Sequence, residues 1–358
     1  MLDCAVMKSE SQKILVAMSG GVDSSVAAAL LLEQGYSVVG VFMKNWSGCD
    51  WETDKRDAQR VAANLGIDLH VYDFEKEYRA RVYEYMIAEY TAGRTPNPDV
   101  MCNREVKFDL LLHVADELKC EKMATGHYAR VEEVDGRFSL LKGVDTKKDQ
   151  SYFLCRLGQK ELSRALFPVG ELIKPEVRKI AADHRLTTAE KKDSQGLCFV
   201  GTVDMATFLK ERIQPKKGNI VTTSGKVIGT HEGVAYYTIG QRHGLGVGGG
   251  EPWYVVDRSI DSNELVVGHE DDPALVAGEL QAMDVHWVTG KAPELPMSCT
   301  AKIRYRQDDQ VCNIQETENG LQVVFEAPQR AIAPGQFVVF YQNDVLIGSA
   351  VICYSVSV

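Results

Sequence analysis

Two groups of residues have the types and spacing to do chemistry: a glycine-rich turn near the N-terminus and two cysteines in unusual surroundings far apart in the chain. The turn reads Met18-Ser19-Gly20-Gly21-Val22-Asp23-Ser24-Ser25 and links an apolar run, residues 14–18, to a helical run, residues 26–33. Adjacent glycines let the backbone turn tightly and approach a ligand, the serines offer hydroxyls, and the unpaired amides at a helix N-terminus carry a dipole that favours an anion. The segment therefore predicts a phosphate or pyrophosphate site. It has neither the Gly-x-x-x-x-Gly-Lys-Ser/Thr spacing of a P-loop nor the Gly-x-Gly-x-x-Gly of a dinucleotide fold.

Cys102 lies in Gly93-Arg94-Thr95-Pro96-Asn97-Pro98-Asp99-Val100-Met101-Cys102-Asn103. Its two prolines exclude regular helix and predict a fixed extended loop. Asp99 and Cys102, three apart, are expected to share one face of the following turn, where Asp99 either relays a proton or caps a helix. Cys198 lies in Lys191-Lys192-Asp193-Ser194-Gln195-Gly196-Leu197-Cys198-Phe199; the two lysines favour a thiolate and Gly196 permits close approach. A thiolate accepts and passes sulfane sulfur. Most free cysteines are small buried hydrophobes, and the other seven are expected to be so.

The composition narrows the function classes. Forty basic against 50 acidic residues leave a formal charge of −10, which counts against a grip on nucleic acid through global charge and confines any RNA contact to a local basic surface. Nine cysteines with no Cys-x-x-Cys pair argue against a disulfide scaffold, structural zinc or an iron–sulfur cluster. The absence of a leader-like N-terminus or a membrane-length apolar run predicts a cytoplasmic protein without membrane contact.

These residues need a scaffold, and the pattern supplies one. Apolar runs at 14–18, 36–43, 67–72 and 122–125 alternate with helix-length segments, which predicts an α/β fold with a parallel, doubly wound sheet. Beyond residue 202 the texture changes to short β-like runs, Lys216-Lys217-Gly218 and the glycine cluster at 244–250, expected to form a small central domain. Short strands at 299–306, 321–325, 336–341 and 345–351 predict a C-terminal β-barrel. The expected domains are 1–203, 204–277 and 278–358. Lys302, Arg304 and Arg306 alternate, so one strand face would present three cations to phosphates or simply to solvent.

The Ser-Gly-Gly-x-Asp-Ser-Ser loop resembles the pyrophosphate loop of N-type ATP pyrophosphatases, which cleave ATP between the α and β phosphates; some members deliver ammonia and others sulfur. The order of further motifs is similar to that of bacterial tRNA-specific 2-thiouridylases over about residues 13–350. These are Phe42-Met43-Lys44-Asn45-Trp46, the Gly93–Asn103 segment, Ala124-Thr125-Gly126-His127-Tyr128, Lys148-Asp149-Gln150-Ser151-Tyr152-Phe153, Phe167-Pro168-Val169-Gly170-Glu171-Leu172, the Cys198 segment, Gly240-Gln241-Arg242 and Ile303-Arg304-Tyr305-Arg306. Departures are mild: Ala17 stands where glycine is common and Gln195 where threonine is frequent.

The resemblance implies an adenine nucleotide alpha hydrolase-like N-terminal domain and a sulfurtransferase. ATP, with Mg2+, would lie on Ala17, Met18, Ser19, Gly20, Gly21, Val22, Asp23 and Ser24, with Met43 and Gly126. The target base would meet Asn97, Pro98 and Asp99, and tRNA would meet His127, Lys148, Asp149, Gln150, Arg304, Tyr305 and Gln336. The implied reaction adenylates the 2-carbonyl oxygen of the wobble uridine, position 34, in tRNAs for lysine, glutamate and glutamine. Sulfur from a Cys198 persulfide then displaces AMP, with Cys102 as nucleophile. Either a transient Cys102–Cys198 disulfide forms or hydrosulfide is released first. A cysteine desulfurase or sulfur-relay protein would supply the sulfur, no resident metal or cluster is implied, and a monomer is expected. Three rivals make different demands: an amidating ligase needs a glutaminase module, a cluster-dependent thiolase needs three or more grouped cysteines, and a non-catalytic tRNA-binding protein needs neither cysteine.

Overall fold

The structure, a computed structural model, describes residues 12–193, 205–248 and 250–357. The chain divides into two compact units. The first is formed by the described parts of Met1–Glu77, Arg104–Ser151 and Gln159–Gln195, the second by those of Tyr78–Asn103, Tyr152–Gly158 and Gly196–Val358. Two segments of the expected N-terminal domain thus pack with the later part of the chain, among them the one carrying Cys102.

The first unit is built on a parallel sheet. Its first strand, β1 (Lys13–Ala17), is buried on both faces after Lys13, and so reads as a continuous apolar run. It lies between β2 (Ser37–Lys44) and β4 (Lys122–Ala124), β3 (Leu69–Asp73) flanks β2, and the two-residue strand Ala165–Leu166 flanks β4. Winding therefore reverses between β1 and β4, and in such sheets ligands bind at the carboxyl ends of the strands at that point. Helix α1 (Val22–Glu33) packs almost entirely inside, with Val26, Ala27, Ala28 and Leu31 against Ile14, Val16 and Val177. Helix α2 (Trp51–Leu65) ends on Gly66, whose left-handed φ of 69° stops it. The strand expected from residue 67 therefore begins at Leu69. An antiparallel hairpin, Ala129–Val134 with Arg137–Lys142, was not anticipated; its turn, Asp135-Gly136, has φ of 53° and 72° as a two-residue type I′ turn requires.

The second unit holds two all-β modules. In the central one, Tyr254–Ser259, Glu264–Gly268, Gly218–Thr222 and Val227–His231 lie side by side around Ile220, Val255, Leu265 and Val267. In the C-terminal one, six strands run Val276–Trp287, Gly320–Arg330, Gln310–Thr317, Met297–Lys302, Phe337–Gln342 and Val345–Ser357, and the first pairs with the last to close a barrel. Its interior is filled by Leu280, Ile314, Val323, Phe340 and Ile352. Cys299 and Cys312 face each other there across neighbouring strands, their sulfurs 3.7 Å apart.

One expectation fails in the barrel. The strand predicted for 299–306 stops at Lys302, because Gln307 Oε1 takes the Ile303 amide and Arg306 turns left-handed at φ 63°. Lys302 reaches Asp309 at 3.6 Å and lies over the Tyr341 ring, while Arg304 donates to the Arg330 carbonyl. Lys302, Arg304 and Arg306 therefore do not form one row on a strand face. Of the seven cysteines expected to be buried, Cys120, Cys155, Cys299 and Cys312 are; Cys49 and Cys353 are half-exposed, and Cys4 lies outside the described residues.

Phe340 has no exposed surface. Phe340→Ala is expected to cost about 3–5 kcal/mol by leaving a cavity in the barrel, read as a lowered midpoint in chemical unfolding.

Candidate functional site

The glycine-rich turn leaves the carboxyl end of β1, where the Met18 amide donates to the Val41 carbonyl of β2 at 2.8 Å. The serines fold the turn on itself. Ser24 Oγ accepts from the Ser19 amide at 3.1 Å and donates to the Gly21 carbonyl at 3.2 Å, and Ser25 Oγ donates to the same carbonyl at 2.7 Å. Gly20 has φ +72°, and a Cβ there would stand 2.2 Å from the Asp54 carbonyl oxygen of α2. A Cβ on Gly126, just past β4, would stand 2.5 Å from the Ser24 amide nitrogen. These two contacts explain both glycines. Gly21 caps α1 without a side-chain hydrogen bond, so the first amides of the helix are left for an anion. Met43, half-buried at the end of β2, completes the carboxyl edge of the sheet.

The turn also carries a carboxylate, which by itself would repel phosphate. Asp23 is neutralised from two other segments: Lys174 Nζ lies 2.7 and 2.9 Å from its two oxygens, and the Tyr128 hydroxyl donates at 2.8 Å. Burial first and the Asp23 charge second push the Tyr128 hydroxyl far above the usual tyrosine range, so it remains a donor at neutral pH. Lys174 also meets Asp193 at 2.7 Å, and Asp193 holds Lys148 at 2.6 Å and Arg178 at 3.1 Å. Burial works against the Asp193 charge, but the hydrogen bonds from Lys148 and Lys174 keep its carboxyl below the normal range. Three cations thus share the Asp23 and Asp193 carboxylates beside the amino end of α1, and a third carboxylate, Asp145, accepts from the Lys174 amide at 2.9 Å. Lys191 braces the turn from behind, bonding the Gly20 carbonyl at 3.1 Å, Asp54 at 2.8 Å and Asp57 at 2.6 Å. Lys174 and Arg178, from one helix, belong to no motif in the sequence, and the segment that holds Lys191 and Asp193 stands out there only for Cys198.

The expected tRNA contacts of this unit occupy varied settings. His127 is 9% exposed, bonded through Nδ1 to Thr125 Oγ1 at 2.7 Å and packed between Phe108 and Phe167. Burial, and then the Lys107 charge, hold its pKa well below 6.5, so it is a neutral imidazole at pH 7. Asp149 is buried and accepts from the Gly143 and Ser151 amides, and Gln150 exchanges bonds with the Tyr128 backbone. These two residues shape a loop, and Lys148 is the one of the three that presents a charge.

The second unit holds the proline loop. Asn97 caps a one-turn helix, Pro98–Cys102, by accepting from the Val100 amide at 3.2 Å. The expected extended loop therefore ends at Asn97: Pro98 opens a helix because the first helical position needs no amide hydrogen. Asp99 and Cys102 stand on this turn, Asp99 half-buried and Cys102 buried. Gln336 donates through Nε2 to the Thr95 and Pro96 carbonyls, both at 2.9 Å, and accepts from Asn97 Nδ2 at 3.2 Å. Arg258 donates to Thr95 Oγ1 at 2.7 Å. Tyr305 packs on Phe153, with ring centroids 4.4 Å apart, and the Phe153 carbonyl accepts from Asn103 at 3.0 Å. Cys198 lies outside the described residues.

Residues 12–202 match a family model described as a tRNA methyl transferase HUP domain, residues 206–269 the PRC-barrel domain of the same family, and residues 277–352 an aminomethyltransferase beta-barrel domain. The tRNA-specific 2-thiouridylase MnmA of Pseudomonas fluorescens is 50% identical over 364 residues, covering 98% of this chain and 97% of that protein. The protein of the same name from Stutzerimonas stutzeri is 51% identical over 355 residues, covering 96% and 95%.

Two outcomes follow from the charge network. Lys174→Met should weaken ATP binding about tenfold or more and lower stability by about 1–3 kcal/mol, since Asp23 and Asp193 lose a shared charged donor; calorimetry with and without ATP reads both. His127 has a folded-state pKa below its unfolded value, so the unfolded chain binds the extra proton and this stability is lost as pH falls below about 6.5. Thermal midpoints from pH 7.5 to 5 should fall less steeply in His127→Gln than in the parent.

Proposed function

The chain belongs to the tRNA-specific 2-thiouridylase family, and from that premise we propose that it thiolates the 2-position of the wobble uridine, position 34, in tRNAs for lysine, glutamate and glutamine, at the expense of ATP. The family model carries a methyl-transfer description, but relatives of half identity over nearly the full length are thiouridylases. The observation that carries the ATP half is the amide-lined turn at the reversal point of the sheet, with its carboxylate neutralised by Lys174 and Tyr128.

ATP lies with its phosphates at the amino end of α1, against Met18–Ser24 and beside Met43 and Gly126. Mg2+ would come with the nucleotide and be held chiefly by its phosphates, since both Asp23 oxygens are engaged by Lys174 and Tyr128. The uridine leaves its stack and rests against Asn97, Pro98 and Asp99, exposing its 2-carbonyl. That oxygen attacks the α-phosphorus, pyrophosphate departs, and the helix amides stabilise the charge that develops on the phosphates while Lys174 keeps Asp23 compensated.

A persulfide on Cys198, charged by a cysteine desulfurase or a relay protein, supplies sulfur to the activated carbon, and AMP leaves. Cys102 releases that sulfur from Cys198, closing a Cys102–Cys198 disulfide that an external thiol reduces before the next turnover. Asp99, on the same helical turn as Cys102, relays the proton. Lys148, His127, Arg304, Tyr305 and Gln336 serve the RNA, Lys148 as a charge for phosphate and Gln336 through the loop it holds. The protein works as a cytoplasmic monomer; among the described residues no helix is long and apolar enough to cross a membrane.

The test combines purified protein, ATP, Mg2+, a desulfurase with cysteine and unmodified glutamate tRNA, followed by nucleoside mass analysis. The expected product is ATP-dependent 2-thiouridine, abolished in Cys198→Ser and reduced at least a hundredfold in Cys102→Ser. Formation of AMP and pyrophosphate with another acceptor, and no thiouridine in any arm, would overturn the substrate assignment.

A further inference from the structure

Residues 94–97 have few ways to hold their own shape. Pro96 and Pro98 lack amide hydrogens, so the segment cannot close the usual turn bonds, and its polar groups must find partners elsewhere. Arg94 pairs with Glu89 through both its amide and its guanidinium, and the groups of Thr95 and Pro96 find partners in two places. The turn at 334–336 takes the backbone: the Thr95 amide donates to the Pro334 carbonyl at 2.7 Å, and Gln336 Nε2 serves the Thr95 and Pro96 carbonyls. Gly335, at φ +92°, permits the approach, since a Cβ there would stand 2.9 Å from the Thr95 nitrogen and from Arg94 Cβ. The remaining polar group of Thr95 is its hydroxyl, and Arg258 takes it.

Arg258 stands on the strand Tyr254–Ser259 of the central module and spends its two terminal nitrogens on two neutral oxygens. One bonds Thr95 Oγ1 at 2.7 Å and the other the Tyr237 carbonyl. Thr95 is only 7% exposed, so this bond is sheltered from water, and the surroundings press the guanidinium pKa down to about 10, still charged at neutral pH. A charged donor makes a stronger bond than a neutral one. The same loop meets the central module again at Gly93, where a Cβ would stand 2.6 Å from Ile260.

We propose that Arg258 is a positioning residue of the thiolation reaction: by bridging Thr95 to the Tyr237 carbonyl it fixes the Thr95–Asn97 segment, and thereby sets where Asn97 and Asp99 receive the extruded uridine. This rests on the assignment of Asn97, Pro98 and Asp99 to the target base. It gives the central module a defined part in the chemistry without contact between Arg258 and the substrate. An arginine is required because its fork spans two oxygens at once, which a lysine ammonium on its flexible stem does not reproduce.

The experiment uses the full-length protein in two arms: steady-state thiolation of glutamate tRNA, and binding of a tRNA with 2-aminopurine at position 34, which brightens when it leaves the stack. In Arg258→Met, kcat should fall about a hundredfold, the loss expected when a binding group shifts by about 1 Å. KM for tRNA should stay within about threefold, and the fluorescence gain should be lost. Arg258→Lys should recover only part of it. Thr95→Val removes the hydroxyl with little change in shape, guarding against a folding defect in the arginine variants. It should show the same split, and adding Arg258→Met to it should cost less than the sum of the single losses. Asn97→Ala is the reference. If Asn97→Ala loses kcat and fluorescence while Arg258→Met and Thr95→Val keep both, the positioning role is overturned and the base assignment stands. If Asn97→Ala keeps both, the base assignment itself fails. A rise in KM alone for Arg258→Met would make it an RNA contact instead, and also overturns the proposal.

Discussion

The first unit depends on one electrostatic conflict: a carboxylate sits in the first turn of the helix whose amino end is proposed to hold phosphate. The amino end of α1 carries about half a positive charge, enough to favour phosphate but offset by Asp23 in its first turn. Lys174 and Tyr128 resolve the conflict by holding both Asp23 oxygens, and their own positions follow from the sheet, Tyr128 just past β4 and Lys174 at the start of the helix Lys174–Asp183. The need for two close approaches then fixes Gly20 under Asp54 and Gly126 against the Ser24 amide. A network of this kind is valuable only when every member is satisfied, because a half-paired ion out of water costs more than an apolar substitute.

The second unit solves a different problem. A proline-rich loop is stiff, as the proposed seat of the extruded base needs, but it cannot supply its own hydrogen bonds. Gln336 serves the backbone of the loop and Arg258 its threonine hydroxyl, while Asn97 both caps the next helical turn and bonds Gln336. Cys102 and Asp99 inherit their places from that cap. The compact grouping of Tyr78–Asn103 with the two β-modules is the structural expression of this dependence.

Much of this was legible in the sequence, and the limits have physical causes. The parallel sheet was visible because doubly buried strands read as unbroken apolar runs, and the anion turn because glycines and serines at a strand-to-helix junction have few other uses. The hairpin at 129–142 was missed although Asp135-Gly136 announces it, since its strands are partly polar and give weak alternation. The row of cations at 302–306 was read from period-two spacing, which holds only while the strand continues; Gln307 ends it one residue after Lys302. Lys174, Arg178 and Arg258 are invisible in the sequence for another reason: a single charged residue has no pattern, and its role comes from what the fold brings to it. Gln336 was named from resemblance as an RNA contact, and its amide is engaged with the proline loop.

The central claim is that the uridine 2-carbonyl oxygen, and not sulfur or a protein group, is what ATP activates. It is tested most directly with glutamate tRNA carrying 18O at C2 of uridine 34, turned over once with ATP and the persulfide-charged enzyme, followed by mass analysis of the AMP. The account predicts that the heavy oxygen appears in AMP in a one-to-one ratio with 2-thiouridine. Heavy oxygen in pyrophosphate or in water, with unlabelled AMP, would contradict it.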